Sequence, residues 1–159
     1  MNQSYAAVVG ELLRQHRLSL AIAESCTGGL LGDKITNVPG ASNYFMGGVI
    51  AYDNRVKVGL LSVREGALEQ FGAVSEEIAL EMAQGARQAM QADIGLSITG
   101  IAGPSGGTPE KPVGLTWIGM SAAGAQKAWR SIWPGDRQAV KEQSADEALR
   151  RLAEFLQAT

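Results

Sequence analysis

Hydrophobic and polar positions along the chain fall into two rhythms, one helical and one of short runs suited to strands. Residues 5–17 place Val8, Leu12, Leu13 and His16 at helical spacing, which predicts a first amphipathic helix. Leu18–Ala23 is brief and apolar and stops at Glu24–Ser25, so it reads as a buried strand. From Thr27, GGLLGDKI turns helical and ends at the breaker Asn37-Val38-Pro39-Gly40. Tyr44–Tyr52 is a second strand, followed by a short helix over Asn54–Leu60 with Asn54 as its cap. Ser75 opens a longer helix reaching Ala92. Glu76 and Glu77 sit in its first turn, where the helix dipole favours anions, and Ile78, Met82, Gly85 and Ala89 form its buried stripe.

Ile94–Thr99 is a third strand and runs into a Gly/Pro loop over Gly100–Pro112. Val113–Ser121 and Gln126–Trp133 read as a hairpin turning at Ala122–Gly124. Asp136 opens the last helix, with Val140, Ala148, Leu149, Leu152 and Phe155 or Leu156 toward the core. Helices alternating with strands, plus one hairpin, predict an α/β fold: three α/β/α layers around a mixed, mainly parallel sheet. No repeat, linker or shift in composition divides residues 1–159, so a single domain is expected.

Charge and composition narrow the partners. Fourteen Lys and Arg against 16 Asp and Glu give a net charge of −2, with no basic excess to hold a nucleic acid. One Cys forms no internal disulfide, which points to the reducing cytoplasm. One Cys and one His also fall short of a zinc site of three or four N/S ligands, and no metal is expected. Glu11, Arg14 and Arg17 interrupt the N-terminal apolar positions, against a secretory signal or a membrane span. Twenty glycines cluster at 28–29, 47–48 and 100–107, as in loops that turn tightly or approach a ligand.

Three strand exits carry polar sequence: Glu24–Gly29, Tyr52–Lys57 and Thr99–Pro104. Ligands in open α/β sheets gather beyond the carboxyl ends of the strands, so three parallel neighbours would bring these segments to one crevice. The Ser25-Cys26-Thr27-Gly28-Gly29 stretch reads either as an anion-binding helix start or as an ordinary cap and tight turn. Lys57, in the first turn after Asn54, is either a surface lysine or a base whose pKa the helix dipole lowers. Tyr52 is a core residue or a proton relay, and Cys26 a nucleophile or a small buried hydrophobe. His16, on the apolar face of the first helix, is a core or interface residue, which counts against Ser-His or Cys-His catalysis. Trp117, Trp129 and Trp133 are packing residues of the hairpin.

Together the stretches AESCTGG (23–29), GGVIAYDNRVK (47–57), GAVSEE (72–77), TGIAGPSGG (99–107), EKPVG (110–114) and PGDR (134–137) resemble the CinA C-terminal domain family. Its characterised enzymatic members are nicotinamide mononucleotide (NMN) deamidases. Longer members carry an extra N-terminal domain, and this chain looks like the stand-alone form. The resemblance implies hydrolysis of NMN to nicotinate mononucleotide and ammonia in pyridine nucleotide salvage, without a cofactor, in a homodimer or higher homo-oligomer. It makes Ser25 the nucleophile and Lys57 its base, with Tyr52 assisting proton transfer or holding Lys57 and Thr99 positioning substrate or hydroxyl. Cys26, Thr27, Gly28, Gly29, Asn54, Gly100, Ala102, Gly103 and Arg137 are then expected at the substrate. Backbone N–H groups near Cys26–Gly28 or from Gly100–Gly103 would hold the oxyanion, and a helix start with Arg137 the phosphate. Asp53 and Arg55 stand where Ser and Glu are more usual, and Ser105 interrupts a glycine run. The alternative is a catalytically silent nucleotide-binding or protein-interaction module linked to competence and recombination.

Overall fold

A computed structural model describes residues 3–159. The described residues form helices α1 (Tyr5–His16), α2 (Leu30–Thr36), α3 (Asn54–Leu61), α4 (Glu65–Phe71), α5 (Glu76–Ala89) and α6 (Arg137–Gln157). The strands are β1 (Leu20–Glu24), β2 (Phe45–Ile50), β3 (Ile94–Gly100), β4 (Leu115–Ala122) and β5 (Ala125–Ile132). They make one sheet in the order β2-β1-β3-β4-β5. β1 runs parallel to both β2 and β3, and the β4–β5 hairpin adds two antiparallel strands. One core packs α1, α2 and α6 on the Leu20, Ile22, Leu96 and Ile98 side of the sheet. The other packs α3, α4 and α5 on the Ala21 and Ala23 side. This is the expected three-layer mixed-sheet architecture, with two parallel and two antiparallel pairings in place of a mainly parallel sheet because the hairpin adds its two strands antiparallel.

Several boundaries differ from the sequence reading for local reasons. Arg17 takes a left-handed conformation (φ 58°) and the Leu18 N–H donates back to Leu13, so β1 starts at Leu20. Residues 25–29 form a turn, ending in Gly29 at φ 110°, which defers α2 to Leu30. Asp53, not Asn54, caps α3: its carboxylate accepts the Arg55 N–H, and Asn54 is the first helical residue. Helix α4 was not expected. Ser75 and Asp136 cap α5 and α6 as read.

The buried stripe of α5 runs through Ile78, Ala79, Met82, Ala83, Gly85 and Ala86, while Ala89 is exposed. Gly85 is where α5 meets the end of α3, since a Cβ there would collide with the Leu61 backbone. On α1 the core takes Val9 and Leu13, whereas His16 is only half-buried at the helix end. Trp129 and Trp133 pack against the larger core, and Trp117 is half-buried on β4. No helix among the described residues is long and apolar enough to cross a membrane.

Candidate active site

Because β1, β2 and β3 are parallel neighbours, their carboxyl ends open side by side at one edge of the sheet. Ser25 follows β1 directly. Its N–H donates to the Ile98 carbonyl at 3.0 Å, which carries the β1–β3 ladder one residue beyond the strand and fixes the serine's position. Ser25 is buried, 8% exposed.

Lys57 comes from the β2 side, at the fourth position of α3, and is 1% exposed. Its Nζ lies 3.2 Å from Ser25 Oγ, 2.8 Å from the Ala51 carbonyl and 3.3 Å from the Tyr52 carbonyl. A neutral amine has two hydrogens and one lone pair. The two carbonyls can take both hydrogens, leaving the lone pair for the Ser25 hydroxyl. Burial pushes the Lys57 pKa below its ordinary 10.5, opposed by the nearby Asp53 and Cys26. The cause is desolvation, where the sequence reading had invoked the helix dipole. Asp53 and Arg55, the two departures from the family pattern, pair with each other at 3.2 Å on the exposed rim.

Ser25, Lys57 and Thr99 lie in a cleft of about 230 Å³, completed by Cys26, Tyr52, Asn54, Ala73, Val74, Gly100, Ala102 and Arg137. The Thr99 hydroxyl donates to the Ala73 carbonyl at 2.8 Å and so ties the 72–75 segment to the wall. Arg137, the first residue of α6, spans the mouth: Nη1 donates to the Gly103 carbonyl at 2.7 Å and Nη2 to the Tyr52 hydroxyl at 2.9 Å. Tyr52 is 60% exposed, which excludes a core role, and it holds Lys57 through its main-chain carbonyl, with its hydroxyl engaged by Arg137. A larger hollow of about 360 Å³ surrounds the Arg64–Glu81 pair between α3 and α5, and no serine–lysine pair lies in it.

Four expected ligand residues are not among those that line the cleft. Thr27 is 1% exposed and donates its hydroxyl to Glu24 at 2.6 Å. Gly28 donates its N–H to the Ser25 carbonyl, and Gly29 donates its N–H to Glu24. Gly103 backs Arg137. The start of α2 is thus no open anion site, because Glu24 Oε1 also accepts the Leu31 N–H at 2.8 Å and Oε2 the Gly32 N–H at 3.0 Å. Among the described residues, the amides of Cys26 and Thr27 donate to no main-chain carbonyl, and the Cys26 amide faces its own thiol. Burial pushes the Cys26 thiol from 9.0 up to about 11, the reverse of an activated nucleophile. Among the described residues, no group of three or more His, Cys, Asp or Glu side chains is placed to hold a metal ion.

A family model described as the CinA C-terminal domain matches residues 2–156. The chain belongs to the CinA C-terminal domain family. Among family relatives, a CinA-like protein from Nostoc sp. is 57% identical over 123 residues, covering 77% of this chain and 29% of the relative. Another from Gloeothece citriformis is 51% identical over 149 residues, covering 92% of this chain and 36% of the relative. The chain therefore spans about a third of the length of these curated relatives. A crystal structure of a competence-damaged protein (CinA) superfamily protein from Klebsiella pneumoniae 700603 superposes with a TM-score of 0.94 at 32% identity, covering 98% of this chain and 97% of that one. The competence/damage inducible protein CihA of Agrobacterium tumefaciens gives 0.87 at 33% identity, over 98% and 99%.

Ala73, Val74 and Glu24 were missed as site residues. The GAVSEE stretch had been quoted without a role. Glu24, an acid closing an apolar strand, was read as part of the polar strand exit but given no role of its own.

Proposed function

We propose that this chain is a serine amidohydrolase that releases ammonia from the carboxamide of NMN. The observation that carries the reading is the buried Lys57 amine 3.2 Å from the Ser25 hydroxyl, its two hydrogens directed to main-chain carbonyls and its pKa lowered by desolvation. An amide carbonyl is a poor electrophile, so the hydroxyl must lose its proton as it attacks, and a neutral amine can take it. Ser25 Oγ bonds to the carboxamide carbon and its proton passes to Lys57 Nζ. The tetrahedral oxyanion is held by main-chain amides of the turn that follows Ser25, such donors contributing about 2.7–4 kcal/mol each. Protonated Lys57 then hands its proton to the departing ammonia, leaving an ester on Ser25. Water, deprotonated by Lys57, hydrolyses that ester to the carboxylate and frees the serine.

A cleft of about 230 Å³ suits the nicotinamide ring better than a whole nucleotide, since drug-sized ligands occupy about 300–1,000 Å³. Ribose and phosphate then lie at the mouth, where Arg137 offers a fixed positive charge. Asn54 stands at the same rim. The exposed Met46 and Ile50 on the edge strand β2 support assembly as a homodimer, which sedimentation would read directly.

The test is ammonia release from NMN, nicotinamide riboside and nicotinamide side by side, with Ser25→Ala and Lys57→Ala as controls. The reading requires turnover of NMN that both substitutions abolish. A fully active Ser25→Ala protein ends it, and NMN binding without ammonia formation favours a silent module.

A further inference from the structure

The mechanism leaves the buried carboxylate next to Ser25 unused. Glu24 is 2% exposed, immediately precedes Ser25, and accepts four hydrogen bonds: the Thr27 hydroxyl at 2.6 Å and the amides of Gly29, Leu31 and Gly32 at 3.2, 2.8 and 3.0 Å. A buried carboxylate needs such partners, and orphan amides at a helix start need acceptors, so each removes the other's cost. The same residue acts on the opposite side through its main chain. Its carbonyl accepts the Ala51 N–H at 2.7 Å, and the Ala51 carbonyl in turn receives Lys57 Nζ at 2.8 Å. Ser25 therefore stands between a turn clamped by the Glu24 side chain and a β2 exit registered by the Glu24 backbone.

We propose that Glu24 is a positioning residue for the Ser25–Lys57 pair. Its carboxylate draws the 27–32 segment back onto the end of β1. This holds Ser25 Oγ opposite Lys57 Nζ and keeps the Cys26 and Thr27 amides turned away from the α2 start. It also occupies that helix end, so an incoming anion is directed to the Arg137 side of the cleft. The inference rests on the amidohydrolase reading for its kinetic consequence but not for its geometry.

The test uses Glu24→Gln, which keeps the shape but turns N–H donors against the amides of α2. A displacement of about 1 Å between reacting groups can cost about 100-fold in rate. The expected result is a folded variant whose kcat for ammonia release falls about 30- to 100-fold with KM changed less than about threefold. Its crystal structure should show Ser25 Oγ moved away from Lys57 Nζ. A purely structural carboxylate would lower the melting temperature alone, so a folded Glu24→Gln protein with kcat within about threefold of the parent overturns the proposal. If Glu24→Gln does not fold, Thr27→Val removes one of the four donors and leaves the carboxylate. A fall in kcat of about fivefold or more then supports positioning, and an unchanged kcat overturns it. A parent protein that releases no ammonia defeats the amidohydrolase reading. Glu24 is then judged on the Oγ–Nζ separation in the variant crystal, where an unmoved pair defeats the positioning role as well.

Discussion

The sharpest consequence of the proposed mechanism is its dependence on an uncharged lysine. An exposed lysine with the ordinary pKa of 10.5 would be neutral in about one molecule in 1,000 at pH 7.5, and each unit of depression multiplies that fraction about tenfold. Burial of Lys57 lowers its pKa, so log(kcat/KM) for ammonia release should climb with pH and level off at a value clearly below 10.5. The sign follows from the base being active when deprotonated. Activity is lost as pH falls through the folded pKa and is full above it. Lys57→Arg keeps a positive charge near the same carbonyls but has no lone pair at any accessible pH. It should lose about 100- to 10,000-fold, the usual contribution of a positioned general base. The measurement is initial rates from about pH 6 to about pH 11 for the parent and about pH 8 for the variant. A slope-one rise continuing to 10.5, or a Lys57→Arg protein within tenfold of the parent, would refute the neutral-lysine argument.

Other outcomes follow from separate contacts. Gly85→Ala forces a Cβ into the Leu61 backbone and should destabilise the fold by about 1–3 kcal/mol, read as a lower urea midpoint. Arg137→Ala should raise KM for NMN about tenfold and leave nicotinamide riboside, which lacks the phosphate, nearly unchanged; equal effects on both would remove Arg137 from phosphate binding. With its thiol pushed from 9.0 to about 11, Cys26 should react with iodoacetamide about 100-fold more slowly at neutral pH than an unperturbed cysteine, as peptide mass mapping over time would show.

The fold was largely legible because its buried strands are short apolar runs that stop at polar or glycine-rich turns, as Ile94–Thr99 does at Gly100. Helix α4 escaped because Ala67 is its only buried residue and seven residues show no stripe. Asp53 and Asn54 are both good caps, and residue type alone does not choose between them. Lys57 stood out at its strand exit, whereas Ser25 was singled out as nucleophile only through the family resemblance. That Thr27, Gly28 and Gly29 turn away from the cleft was not legible, because it depends on the Glu24 carboxylate folding back over eight residues to reach Gly32. Lys57 was singled out for its position on the helix, yet its perturbation comes from burial, a tertiary property that no spacing in the sequence carries.

The chemistry of the cleft is defined by which hydrogen-bonding groups its surroundings consume. Around the Ser25 turn, the Ser25 carbonyl takes the Gly28 amide and Glu24 takes those of Gly29, Leu31 and Gly32, which leaves the Cys26 and Thr27 amides without a main-chain acceptor. Around the base, the Ala51 and Tyr52 carbonyls take two of the amine's hydrogens, which leaves one direction, and Ser25 Oγ occupies it. Histidine is dispensable in such an arrangement. Imidazole is orientated for catalysis by a partner on its second nitrogen, whereas two fixed carbonyls orientate an amine equally well. The remaining requirement is a larger share of free amine at neutral pH, and the burial of Lys57 shifts its pKa in that direction. A substitution that wets Lys57 without touching Ser25 should therefore lower activity at neutral pH and move the pH profile up toward 10.5, whereas removing the serine's hydroxyl should abolish activity at every pH.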